Sequence, residues 1–204
     1  MIHEIRTYNL KPRSVEMFGE NTKAKLTKRQ EYSPLAGFWY TEIGPINQVV
    51  HIWPYDDLNE RAEIRSKAVA DGIWPPDNDE LIIDMRSDIM IPAPFMKSIG
   101  PSRMGPTYEM RIYTYQPQDI PIVLDAWADR IETRETYSPL GGCWYTDVGE
   151  LSKLVHLWGY KSLEERAKIR GDVIKNGVWP PQSEAVPLKQ ENKILTPYDF
   201  SPMQ

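Results

Sequence analysis

The chain is written twice. Shifting the 204-residue sequence against itself by 105 positions pairs Ile2–Phe95 with Thr107–Phe200 without a gap, and 31 of the 94 pairs are identical. The identities fall in blocks. Tyr32-Ser33-Pro34-Leu35 returns as Tyr137-Ser138-Pro139-Leu140, and Trp39-Tyr40-Thr41 as Trp144-Tyr145-Thr146. Arg61-Ala62-x-Ile64-Arg65 returns as Arg166-Ala167-x-Ile169-Arg170, and Trp74-Pro75-Pro76 as Trp179-Pro180-Pro181. A period near 100 residues is domain-sized, so the duplication predicts two equivalent units, 1–95 and 107–204. The intervening 96–106 reads as a linker, punctuated by Gly100-Pro101 and Gly105-Pro106.

Each unit carries the same local signals. Side chains alternate over Ile2–Tyr8 and Thr107–Tyr113, which predicts a first strand. Ser14 and Asp119 stand at one repeat position and are both good N-caps, so a first helix is expected to start there and to end before Ser33-Pro34 and Ser138-Pro139. Phe38–Glu42 and Val49–Trp53 read as a hairpin. Asp57-x-x-Glu60 and Ser162-x-x-Glu165 are capping boxes for a second helix, closed by Gly72 and Gly177. Ile89–Ile91 and Ile194–Thr196, each followed by Pro, read as a last strand. The order β-α-β-β-α-β is that of a ferredoxin-like unit, whose sheet carries helices on one face and needs cover on the other. A second copy in the same chain supplies that cover, so the expected class is α+β.

Composition narrows the function. The net charge of −5 and pI near 5.3 argue against a nucleic-acid surface. No apolar run approaches the ~18 residues of a spanning helix, so no membrane span is expected. The single cysteine allows no internal disulfide, and the opening Met1-Ile2-His3-Glu4 runs straight into strand-like sequence. An intracellular, cytoplasmic location is the expectation.

At Glu4-x-Arg6-x-Tyr8, Trp39-Tyr40-Thr41, Val50-His51-x-Trp53-x-Tyr55 and Glu60-Arg61 to Arg65, with their second-copy counterparts, the chain resembles the NIPSNAP family over nearly its whole length. The resemblance implies ferredoxin-like units pairing sheet to sheet as a dimeric α+β barrel, here a pseudo-dimer within one polypeptide. It implies no reaction, because the fold hosts unrelated chemistries.

Most of the candidate site residues lie on the strands. Glu4, Arg6 and Tyr8 share one strand face, as do Glu109, Arg111 and Tyr113. Arg6 and Arg111 read either as anion clamps or as partners compensating the neighbouring glutamates. His51 with Trp53, and His156 with Trp158, put an imidazole and an indole on a common face, suited to general-base work beside an aromatic substrate or to simple burial. Tyr40 and Tyr145 are candidate hydrogen-bond donors or packing groups. Arg65 and Arg170 read as a solvated helix face or as further anion contacts. No histidine pair has metal-ligand spacing, so neither a metal nor any other cofactor is expected, and a lone strand histidine gives haem little support.

The reading is a small-molecule pocket protein for an acidic or aromatic ligand, self-associating. By fold analogy it extends to a cofactor-independent, monooxygenase-like enzyme in which His51 or His156 takes a proton. The alternative is a non-enzymatic binding or interaction module.

Overall fold

The computed structural model describes residues 1–204. The first half runs β1 (Ile2–Leu10), α1 (Val15–Gln30), β2 (Gly37–Ile43), β3 (Gln48–Tyr55), α2 (Leu58–Ala70) and β4 (Ile82–Pro92). The second runs β5 (Thr107–Thr114), α3 (Asp119–Ala128), α4 (Ile131–Glu135), β6 (Leu140–Val148), β7 (Lys153–Tyr160), α5 (Leu163–Lys175) and β8 (Lys189–Pro197). The eight strands close a barrel in the order β1-β3-β2-β8-β5-β7-β6-β4, every pairing antiparallel. Each half keeps the ferredoxin-like order, and the last strand of each hydrogen-bonds to the second strand of the other, β4 to β6 and β8 to β2. Closure pairs all four sheet edges, which an isolated half would leave open.

Alternation along the strands sorts the core into layers. Ile5, Trp39, Val50, Ile52, Tyr108, Met110, Trp144 and Leu195 point inward and fill the barrel. Outward residues meet the helices in two further clusters, one per half. At full burial each large apolar side chain contributes roughly 1.5–3 kcal/mol.

The helix signals hold in most details. Asp57 accepts from the backbone N–H of Asn59 and Glu60, and Ser162 from that of Glu165. The reciprocal bonds fall one residue earlier than a standard capping box, the Glu60 carboxylate accepting from the Asp56 N–H and that of Glu165 from the Lys161 N–H. Gly72 and Gly177 take the left-handed conformation that ends each helix, at φ 68° and 65°. The first helix of the second copy differs from expectation. Gln118 caps it, Asp119 is its first helical residue, and an Arg130 N–H to Trp127 C=O bond tightens a turn that splits it into α3 and α4. The last strands are also longer than their apolar signatures, because the polar runs beginning at Ile82 and Lys189 ladder onto β1 and β5.

The halves also exchange their tails. Beyond β8, Tyr198 and Phe200 pack on Phe38 of the first half. Beyond β4, Phe95 stacks on Trp127 of the second. Residues 96–106 are partly tied down as well, Ser102 exchanging backbone hydrogen bonds with Pro202 and Gln204.

Candidate functional site

Outward alternation on β1 and β3 places Arg6 directly opposite His51, and on β5 and β7 Arg111 opposite His156. Both pairs face the helices, not the barrel interior. Beneath each lies a glutamate whose side chain is wholly buried. Glu4 receives Arg61 at 2.6 Å, Arg65 at 3.7 Å and Arg6 at 4.0 Å. Glu109 receives Arg111 at 3.0 Å and Arg170 at 3.7 Å, with Arg166 in closer contact. Burial alone would raise the Glu4 pKa, but hydrogen bonds from Arg61 and Ser87 and the charges of Arg65 and Arg6 carry it below the ordinary carboxylate value. Glu109 is lowered against the same burial by Arg166, Arg111 and Arg170.

A fourth arginine completes each cluster. Arg29 comes off α1 fully buried, lies over the Trp53 ring at 4.3 Å and donates to Ser33 and Tyr55. Arg134 does the same with Trp158 at 4.1 Å, Ser138 and Tyr160. Burial lowers the pKa of both, yet a guanidinium stays charged at any physiological pH. Neither has a carboxylate partner, so each half sets four arginines against one glutamate in a chain whose net charge is −5.

The hydrogen-bond pattern assigns the histidine tautomer. An indole N–H only donates. Trp53 Nε1 lies 2.7 Å from His51 Nδ1, and Trp158 Nε1 lies 2.7 Å from His156 Nδ1. Nδ1 therefore holds a lone pair in both rings. Both pKa values are pushed well below 6.5, first by burial and then by the surrounding arginines. The neutral rings carry their proton on Nε2 and present a donor. His51 Nε2 lies 3.3 Å from the Tyr8 hydroxyl oxygen, while His156 Nε2 has no partner. Burial also raises the pKa of Tyr8 and Tyr113 against the pull of Arg6 and Arg111, which keeps both phenols protonated.

These groups border two equivalent cavities between the sheet and the helices. The first, of about 310 Å³, is lined by Arg6, Tyr8, His51, Arg65 and the Trp74-Pro75-Pro76 turn among others. The second, of about 280 Å³, is lined by Arg111, Tyr113, His156, Arg170 and Trp179-Pro180-Pro181, with Trp127 and Arg134. The structure thus brings Arg6, His51 and Arg65 to one cavity, and Arg111, His156, Trp158 and Arg170 to the other. Trp53 stands behind His51 rather than in the wall. Tyr40 and Tyr145 line neither cavity; Tyr40 packs edge-on against Tyr198, and Tyr145 joins the apolar layer of the second half.

Sequence reasoning did not single out Arg29, Arg134 or Trp127 as site residues, and it placed Tyr8 and Tyr113 on the strand face without giving them a role. A signal for the buried arginines was present: between Asn9 and Glu31, Pro12 and Arg29 are the two residues that recur at the repeat spacing. A solvated helix would give no reason to retain the second. No cluster of three or more histidine, cysteine or acidic side chains suits a metal ion, and no helix is long and apolar enough to cross a membrane.

Comparison with known proteins agrees with the duplication. The NIPSNAP family model matches twice, at residues 3–97 and 108–202. NipSnap homolog 3B of Homo sapiens is 32% identical over 99% of this chain and 85% of its own length. A NipSnap homolog of Dictyostelium discoideum is 30% identical over 87% and 78%. A proposed monooxygenase from Lactobacillus acidophilus superposes with a TM-score of 0.65 over 96% of this chain and 93% of that one at 7% identity, a likeness of fold alone.

Proposed function

The chain belongs to the NIPSNAP family, and from that premise we propose that it is a small-molecule binding protein with two related pockets for an acidic ligand carrying a flat, apolar body. The observation that carries this reading is the excess of buried and half-buried arginine. Four guanidinium groups around one glutamate leave positive charge that an anion would neutralise, in a setting where low polarity strengthens the attraction. Arg6 or Arg111 contacts the anion with Arg65 or Arg170 at the mouth, and the Trp-Pro-Pro turn covers the body of the ligand. Cavities near 300 Å³ set its size at the small end of ordinary ligands.

The histidines take the role of donors. With Nδ1 engaged by an indole and Nε2 already protonated, neither ring can accept a proton from a substrate without losing the bond that holds it. Each glutamate is tied to three arginines and is no freer as a base. This favours binding, with polarisation of a carbonyl or carboxylate oxygen, over proton abstraction. The monooxygenase-like reading keeps only the fold likeness in its support.

Isothermal titration of the purified chain with a panel of aromatic carboxylates tests the proposal, alongside neutral amides of the same shape. Saturable binding that weakens with salt, loses one of its two sites in Arg111→Gln and is lost in the Arg6→Gln, Arg111→Gln double variant is the expected result. Equal binding of acids and amides, or binding untouched by the substitution, would overturn it.

A further inference from the structure

The barrel has a polar mouth that the outer pockets do not use. Alternation places Ile5, Val50, Met90, Met110 and Leu195 in the apolar interior. Toward one end of the same inward rows stand Thr7 on β1, Gln48 on β3, Arg86 and Asp88 on β4, and Lys193 on β8. All of these but Asp88 border a cavity of about 210 Å³ beneath the β2–β3 turn, where Pro45 contributes to the wall. A smaller space below it is lined by Asp88, Lys153 and Lys193.

Lys193 is 7% exposed, and its Nζ donates to the Gln48 side-chain oxygen at 2.5 Å. It makes no ion pair. Asp88 is held by Arg86 at 2.7 Å, and Glu191 is paired with Lys189. The mouth also holds Lys153 with Glu150 as its partner, and Asp84 bonded by Asn9. A buried ammonium with a neutral amide for its only partner is costly, and the proton-free amine is the form such a place favours. The equivalent position in the first half is Asp88, so the chain has one such lysine.

We propose that the barrel mouth is a second ligand site, in which the Lys193 amine condenses with a small aldehyde or ketone. The Nζ lone pair attacks the carbonyl carbon, the C–N bond forms, and a proton passes from nitrogen to the former carbonyl oxygen. Loss of water then leaves an imine, with no oxidant or reductant required. The Gln48 oxygen that accepts from the amine accepts equally from the protonated imine. Burial, with a smaller contribution from the Arg86 charge, lowers the amine's pKa to about 8, so an appreciable fraction is unprotonated near neutrality.

The test is reductive alkylation of the full chain with propionaldehyde and cyanoborohydride, read lysine by lysine by peptide mass mapping. At pH 7, Lys193 should be labelled about tenfold faster than the exposed Lys28 and Lys175. Its rate should rise with pH through about 8 and then level. Gln48→Glu places a counter-charge beside the amine and should slow Lys193 to the rate of the exposed lysines, with the labelling of Lys28 serving as internal reference. Labelling of Lys193 no faster than that of Lys28 and Lys175 would overturn the proposal, as would rapid labelling undiminished in Gln48→Glu. The result is independent of whether the outer pockets bind acids.

Discussion

The two outer pockets hold the same arginine, tyrosine and histidine and connect them differently. In the first half Tyr8 meets His51, and Arg6 points a guanidinium nitrogen at the Met85 sulfur, 3.1 Å away. In the second half Tyr113 accepts from Arg111 at 2.6 Å, and His156 is left with an unpaired N–H beside the cavity. The walls differ in a compensating way. Phe38 stacks on His51 from the strand while Thr22 stands small on the helix; in the other half Cys143 is the small strand residue and Trp127 reaches the histidine edge-on from the helix, 4.7 Å away. The duplication has kept the charged frame in both halves and let the aromatic wall change sides. The first pocket pairs its histidine N–H with Tyr8 and leaves the Arg6 Nε–H without a partner, whereas the second pairs that arginine N–H with Tyr113 and keeps the histidine donor for something else.

The largest expected effect tests what the halves share. Replacing Glu4 or Glu109 with Gln leaves three arginines without their buried counter-charge, and each substitution should cost about 3–5 kcal/mol. Urea unfolding reads this, and in a chain of this size Tm should fall by roughly 10 °C. The cost should be somewhat larger for Glu109, because Arg111 hydrogen-bonds it at 3.0 Å where Arg6 stands 4.0 Å from Glu4. A cost below about 1 kcal/mol in either half would show that its arginines are held by solvent and not by the carboxylate.

Next in size is the pH dependence. The site histidines have folded-state pKa values well below the ordinary 6.5, so the unfolded chain binds more protons between the two values. Stability is complete above about pH 6.5 and falls below it, with a slope approaching about 1.4 kcal/mol per pH unit for each ring. The glutamates act lower. Their depressed pKa values keep their contribution intact down to the ordinary 4.5 and lose it only as the pH falls further. His51→Gln and His156→Gln should each flatten the upper limb by one share, while His3, lowered to about 4, retains a third. A smaller share for His156 would mean that its cavity is wetter than that of His51, which would sharpen the contrast.

How much of this the sequence displays depends on where each contact is made. Strand alternation and the repeat placed Arg6 and His51 on the right strands, because a period of two acts within a few residues. The capping boxes were legible for the same reason. Barrel closure was less visible in detail, since Asp84, Arg86 and Asp88 on the extended part of β4 look like loop polarity until β1 provides their ladder. Tyr40 has the correct alternation, yet its distance from the cavity is set by Tyr198, which arrives from the far end of the chain. Arg29 escaped notice because its partners Ser33, Trp53 and Tyr55 meet it only in the fold. Cys143 is a small, fully buried residue, and Trp127 supplies the bulk it lacks, a compensation between strand and helix that no local pattern displays.

That last pairing can be tested in the first half. Phe38→Cys alone opens a cavity and should cost about 2–3 kcal/mol. Thr22→Trp alone overfills the helix side and should cost about 1–3 kcal/mol. Together they rebuild the wall of the second half, and the double variant should recover about 2 kcal/mol relative to the sum of the singles, measured as a double-mutant cycle. Additive costs would mean that the two aromatic arrangements arose independently.

The smallest effect decides whether the unpaired donor of the second pocket has a use. A carboxylate ligand that reaches His156 Nε2 gains a hydrogen bond to a group otherwise unsatisfied in the free protein, so the bond forms without breaking another. In the first pocket the same ligand must displace the Tyr8 oxygen from His51, and most of the gain is offset. His156→Phe should therefore weaken carboxylate binding about tenfold, equivalent to about 1.4 kcal/mol, and His51→Phe by less than about twofold, both read by isothermal titration. Equal losses would show that ligand binding overrides the Tyr8 contact and makes the two pockets alike. A loss confined to His51→Phe would reverse the assignment, placing the working site in the half whose histidine is already paired.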